Sequence, residues 1–289
     1  MAAGDLITTD WQVEYRSLLT GGDTAYSLVQ VEGLVDMPPV RPADLVLSRR
    51  HGAHPGDDFV DVRSIVLTYE IYAADNTAFA AAVEALQTAY RPGGDEQALV
   101  FQIPGVADGA KALVWCRPRR RQLPVNLEWF HRLPIATIEM VATDPLVYAN
   151  TESEASTTLP SAAGGLVFPI VFPRTYGASA TGGSITCVND GSFDTDPTFR
   201  IDGPATNPRI ENLTAGKTIA VNITLASGEF LLIDVKSRTV LLGGTTSRFS
   251  FLDTSSRWFS LAPGSNSITF RASTSTAATL TARWRSAWL

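Results

Sequence analysis

The sequence predicts a mainly β protein: an N-terminal β-rich domain with one α-helix, followed by a C-terminal antiparallel β-sandwich. Helical spacing of apolar residues occurs convincingly once, over residues 75–90. Elsewhere short apolar runs alternate with polar residues or stand between Gly-, Pro- and Asn-rich turns. Composition shifts near residue 150, which places residues 1–148 in the first domain, 149–165 in a linker and 166–289 in the sandwich.

The first elements are an alternating run at residues 11–15 and another at 26–31, expected to pair as a hairpin across Gly21-Gly22-Asp23. Residues 37–61 are rich in Pro, Gly and charge, with Arg49, Arg50, His51, His54, Asp57 and Asp58 at their centre. Loops that only connect are seldom so long, so this one is expected to reach for a partner. A long strand follows from Val62 to Tyr72, then the helix.

Phe79, Ala82, Val83, Leu86 and Tyr90 share one helical face. Asp75 or Asn76 is placed to cap its start, and Arg91-Pro92-Gly93-Gly94 ends it. A lone amphipathic helix must lay its apolar side on a sheet. Strands at 98–103, 111–117 and 127–142 complete the domain, the first making a strand–helix–strand crossover. Between the last two lies a basic tip carrying Arg117, Arg119, Arg120 and Arg121. Asp144-Pro145 closes the domain.

After the Thr-, Ser-, Ala- and Gly-rich linker, ten short strands are expected: 166–172, 184–188, 198–201, 209–213, 218–225, 229–235, 238–242, 257–261, 267–271 and 279–284. Turn sequences such as Asn189-Asp190-Gly191 and Pro263-Gly264-Ser265-Asn266 separate them. This rhythm makes a two-sheet sandwich, with no repeat that would argue for a propeller or solenoid.

Charge is uneven. Residues 1–148 hold 12 Lys plus Arg against 19 Asp plus Glu, and residues 149–289 hold 11 against 10. Grip on nucleic acid comes from neutralising phosphates, so the acidic first half argues against it. Arginine outnumbers lysine 20 to 3, which reads as GC-rich coding. Cys116 and Cys187 lack metal-ligand spacing and read as reduced thiols of a cytosol-made protein. Asp5 sits where a signal peptide wants basic and apolar residues, and no apolar run approaches a membrane span of about 20 residues, so neither a cleaved signal nor a membrane anchor is expected.

Candidate sites each meet a plainer reading. His51 and His54, near Asp57, Asp58 and Asp61, have metal-ligand chemistry, but a Gly/Pro loop does not hold ligands rigidly, and an interface loop is preferred. His131 has no acid or nucleophile placed beside it and reads as a packing residue. The arginine tip lacks interleaved aromatics for base stacking, so an inter-subunit contact is preferred over nucleic acid. Asp194 and Asp196 fit a turn better than a calcium site. Trp258 and Trp284 stand in strand-like runs, which leaves Trp288 as the candidate glycan contact. No catalytic or phosphate-loop motif appears, and no metal or cofactor is expected.

The second domain resembles the C-terminal domain of siphophage distal tail proteins. The resemblance is carried by Phe168-Pro169-Ile170-Val171-Phe172-Pro173, by Asn189-Asp190-Gly191-Ser192 followed by Asp196-Pro197-Thr198-Phe199-Arg200-Ile201, by Asn207-Pro208-Arg209-Ile210, by Gly228-Glu229-Phe230-Leu231-Leu232-Ile233-Asp234 with Arg238-Thr239-Val240, and by Trp258 to Asn266. The first domain resembles the same family in its strands around one helix and in Ala142-Thr143-Asp144-Pro145. The resemblance implies a galectin-like sandwich and a non-enzymatic virion protein of the phage tail tip, made in the host cytoplasm. It further implies a hexameric ring of N-terminal domains that joins the tail tube protein to tail-tip or hub proteins and lets DNA pass unbound, with residues 41–61 as a ring-forming arm. Two other readings compete: a carbohydrate-binding adhesion module recognising a host-surface glycan, and a glycan hydrolase. The latter needs paired carboxylates across a cleft, and no such pair stands out.

Overall fold

A computed structural model describes residues 2–160, 182–273 and 277–289. The expected strand at 166–172, the motif Phe168 to Pro173 and the linker's last residues, 161–165, lie outside the described residues. The chain divides into one unit of residues 1–151 with 288–289, and a second of residues 152–287.

In the first unit, β1 (Gln12–Tyr15) turns directly into β2 (Leu18–Gly21) through Arg16 and Ser17, both at positive φ. Such paired left-handed residues match the twist of a two-residue hairpin. The expected partner, residues 26–31, is instead β3 (Tyr26–Glu32), which pairs elsewhere. Two short ladders follow: β4 (Val40–Pro42) and β5 (Leu45–Val46) run out, β6 (Ala53–His54) and β7 (Asp58–Val60) run back.

Strand β8 (Arg63–Ile71) leads through Asp75 into α1 (Asn76–Ala89). The Asp75 side chain accepts the Ala78 N–H at 2.8 Å, and the Tyr90 N–H donates to Leu86 O, so both helix ends are satisfied as expected. Then come β9 (Gln97–Gln102), β10 (Ala112–Gln122), the short helix α2 (Leu127–Phe130), β11 (Ile135–Ala142) and β12 (Val147–Ala149). Two expectations are corrected here. Residues 127–130 are helical because Asn126 caps them, its side chain accepting from Trp129 N–H at 3.1 Å. The arginine tip is strand, with a bulge between Pro118 and Arg120, where a residue without N–H is tolerated.

The main sheet runs β2-β1-β9-β10-β11-β8-β3, antiparallel throughout. Strand β10 serves two partners: residues 112–116 pair with β9 and residues 117–122 with β11. The strands flanking α1 are therefore separated by β10 and β11, and the crossover forms no parallel pair. Alternate residues Ile65, Leu67, Tyr69 and Ile71 of β8 and Ala136, Ile138 and Met140 of β11 face the same core as Phe79, Val83 and Leu86 of α1. Burying each large apolar side chain contributes about 1.5–3 kcal/mol, so the helix is held by this face.

The second unit begins with β13 (Ser153–Thr158), a strand where the sequence suggested an exposed linker. It continues with β14 (Ser184–Asn189), β15 (Thr198–Asp202), β16 (Ala205–Thr206), β17 (Arg209–Asn212), β18 (Lys217–Ala220), β19 (Thr224–Leu225), β20 (Phe230–Asp234), β21 (Thr239–Leu242), β22 (Thr246–Ser247), β23 (Gly264–Arg271) and β24 (Thr279–Trp284). Antiparallel sheets β13-β24-β15-β20-β21-β22 and β14-β23-β17-β18 make the sandwich. Residues 257–261 are not a strand: only Leu261 bridges, to Thr195, while Phe259 and Leu261 are buried as loop residues. The run 218–225 breaks between β18 and β19.

The sandwich core holds Phe199, Ile201, Leu231, Ile233 and Leu280 with Ile210, Ile219, Ile268 and Phe270. Trp284 Nε1 donates to Val188 O at 2.7 Å. Buried Asn189 donates to Phe193 O and Leu261 O and accepts from Gly191 and Ala287 N–H groups, so its amide is fully used. A Cβ at Gly191 would meet Ala287 O at 1.8 Å, which is why this turn takes glycine.

Candidate functional site

The most exposed structured segment of the first unit is the hairpin arm of β4 to β7. Its ladder is reinforced by Ala43 N–H to Asp57 O at 3.1 Å and by the Asp44 carboxylate accepting Gly56 N–H at 2.9 Å. A Cβ at Gly56 would sit 2.1 Å from Ala43 O, so glycine lets the two strands close. The tip turns at Gly52, φ 100°, with Leu47 N–H reaching Gly52 O at 3.3 Å.

Apolar side chains on this arm have no core beneath them. Leu45 is 68% exposed, Val46 78% and Phe59 56%. Sequence reasoning singled out the charged residues here and missed these; the apolar run Leu45-Val46-Leu47 inside a polar loop was the signal. Arg49, Arg50, His51, His54, Asp57 and Asp58 are exposed. Among the described residues the one ion pair at the arm is Arg41 with Asp61 at 3.7 Å, too exposed to contribute much. Among the described residues no group of three or more His, Cys, Asp or Glu is placed to hold a metal.

The base of the arm is fixed by Arg63, 1% exposed. Its Nη1 donates to the carbonyls of Gly33, Leu34 and Asp36, and its Nε to Pro145 O at 2.6 Å. Burial lowers its pKa, while Asp36 opposes that shift.

The arginine strand is partly engaged within its own chain. Arg120 pairs with Glu139 at 3.3 Å, and Arg121 Nη1 donates to Gln87 O at 2.7 Å, a cation on the last turn of α1. Arg119 is exposed, whereas Arg117 is half-buried and its Nε has no hydrogen-bond partner among the described residues. No hydrogen bond or ion pair joins the arm to these arginines among the described residues. Beside them Val125, Leu127 and Phe130 form a second set of exposed apolar side chains, each more than 70% exposed.

The other candidates separate. His131 is exposed at the end of α2 and lies edge-on to Phe130. Asp196 accepts the Ser260 hydroxyl at 2.6 Å, and Asp194 is exposed. Trp258 and Trp284 pack into the sandwich core. Trp288 is half-buried, belongs to the first unit and packs against that unit's core. Both thiols are buried: burial pushes Cys187 up to about 12 and Cys116 higher still. No described helix is long and apolar enough to cross a membrane.

A strand-rich first unit with an exposed arm is followed along the chain by an antiparallel sandwich. Residues 190–288 match the family model of the siphovirus-type tail component, C-terminal domain. Among solved structures, the chain is similar to the SPP1 Dit (gp 19.1) protein, described as a paradigm of the hub adsorption apparatus in phages infecting Gram-positive hosts. That match has 13% identity and a TM-score of 0.67, covering 96% of this chain and 99% of the other. A chain of the phage P2 baseplate in its activated conformation also matches, at 10% identity and a TM-score of 0.47 over 90% of this chain and 91% of that one. No curated protein matches. The resemblance to siphophage distal tail proteins, and the mainly β fold read from the strand and turn pattern, are thus borne out.

Proposed function

We propose that this chain is a structural component of the hub of a long non-contractile phage tail. Six copies close into a ring through their first units, which joins the tail tube to the tail tip and lets DNA pass; the chain carries out no catalysis. The observation that carries the reading is the arm. A two-stranded hairpin is marginal in water unless a hydrophobic face is covered, and Leu45, Val46 and Phe59 lie uncovered on this one. A neighbouring copy's surface supplies the cover. Contact between an arm and a different surface next door is heterologous, the kind that closes rings. The excess of acidic residues in the first half suits a wall past which DNA slides without sticking.

The test is native mass by light scattering after gel filtration, for the wild type and for Leu45→Ser with Val46→Ser. The wild type is expected as a ring of about six copies or two such rings stacked, and the variant as a monomer that melts at the same temperature. A variant that assembles like the wild type removes the arm from the interface.

A further inference from the structure

On the solvent face of the four-stranded sheet, Arg209 of β17 stands directly opposite Arg271 of β23. Directly opposed side chains lie about 5 Å apart, and like charges there destabilise the pair. Glu211 offsets only part of this, binding Arg209 Nη2 at 2.6 Å. Arg271 is held by backbone, its Nη1 donating to Gly183 O and Phe270 O at 2.8 and 2.9 Å.

Two more cations, Lys217 and Arg257, line the same groove of about 530 Å³. One wall is the segment 253–257, tied to β18 by Asp253 N–H to Ala220 O at 2.9 Å and Arg257 N–H to Thr218 O at 2.7 Å. The one carboxylate among the described residues lining the groove is already occupied. Asp253 accepts from the Ser255 hydroxyl and amide and from the Asn222 amide, which hold its pKa below the usual range. The Lys217 side chain makes no hydrogen bond or ion pair among the described residues. Four of the second half's 11 cations thus converge on one groove of a nearly neutral half.

We infer that this groove binds a phosphate-bearing polyol or sugar chain. The cations meet the phosphates, and Asn207, Asn222, Thr218 and Ser273 along the same walls meet hydroxyls. Among the described residues no aromatic side chain lines the groove, which disfavours nucleobases and neutral sugars, both of which stack on rings. The site belongs to the second unit and does not depend on ring closure.

The full chain is titrated calorimetrically with poly(glycerol phosphate), neutral dextran and a short DNA duplex, at low and at physiological salt. The wild type is expected to bind the polyol phosphate more weakly as salt rises, and dextran not at all. Arg209→Ala with Lys217→Ala is expected to weaken binding about ten-fold or more, since bonds to charged groups are lost. Lys217→Glu, exposed and unpaired, gives the same direction with an unchanged melting temperature. Absence of wild-type binding, undiminished binding by both variants, or DNA binding as tight as the polyol phosphate overturns the inference.

Discussion

The hydroxyls of Tyr69 and Tyr90 meet at 3.2 Å inside the first unit, both rings essentially shut off from solvent. The Thr20 hydroxyl lies 3.1 Å from that of Tyr69, and Tyr15 stacks on Tyr90 with centroids 5.1 Å apart. Strands β1, β2 and β8 are thereby joined to the end of α1 through a buried polar network in an otherwise apolar core. Such networks specify one arrangement because an unmatched member is costly.

Tyr69→Phe deprives Thr20 and Tyr90 of a partner and is expected to cost about 1–3 kcal/mol, measured by urea unfolding. Tyr90→Phe leaves the contact with Thr20 in place and costs less. The double variant is expected to lose less than the sum, because both changes break one contact. Strict additivity would show that the two hydroxyls do not cooperate.

Alkaline pH is expected to unfold this unit. Burial raises Tyr69 to about 12, against weaker opposition from its bonds to Thr20 and Tyr90, and raises Tyr15 to about 12 against the nearby Arg16. Unfolded tyrosines ionise near pH 10. The neutral folded form therefore contributes full stability below pH 10, and that contribution is lost as pH climbs from 10 to about 12. Thermal melts stepped through this window should show a falling midpoint; a flat profile would mean these hydroxyls reach water.

Asp75→Ala should cost about 1 kcal/mol by leaving the first turn of α1 uncapped. Asp75→Asn should retain most of the stability, since the amide oxygen also accepts the Ala78 N–H. Equal losses in the two variants would point to the charge, not the hydrogen bond.

Arg63→Met should destabilise the first unit by about 3 kcal/mol, because carbonyls of Gly33, Leu34, Asp36 and Pro145 lose a charged donor. Arg63→Lys is not expected to rescue it, as one ammonium cannot span the same set. Hydrogen exchange should quicken at residues 33–36 in both variants. Exchange unchanged there would locate the stabilisation elsewhere.

The helix was legible because its cap, its apolar face and its Pro-Gly stop agree on the same boundaries. The sandwich rhythm was legible because glycine and asparagine mark its turns. The opening hairpin was not, since Arg16-Ser17 adopts left-handed angles without the Gly or Asn that announces them. Pro118 made the arginine segment look like a loop, though a bulge accommodates it within β10. At the arm, length and composition showed a segment reaching outward. The residues best suited to contact, Leu45, Val46 and Phe59, became visible only once the ladder showed that no described residue of the first unit covers them.

Cys116 and Cys187 are 0% exposed, and burial keeps both thiols protonated far above neutral pH. Oxidation and disulfide exchange proceed through an accessible thiolate. The state of these two thiols is therefore indifferent to their surroundings: moving from a reducing solution into air-equilibrated medium leaves them unchanged. A protein that folds in the first and persists in the second needs no reductant to keep such thiols as they were made.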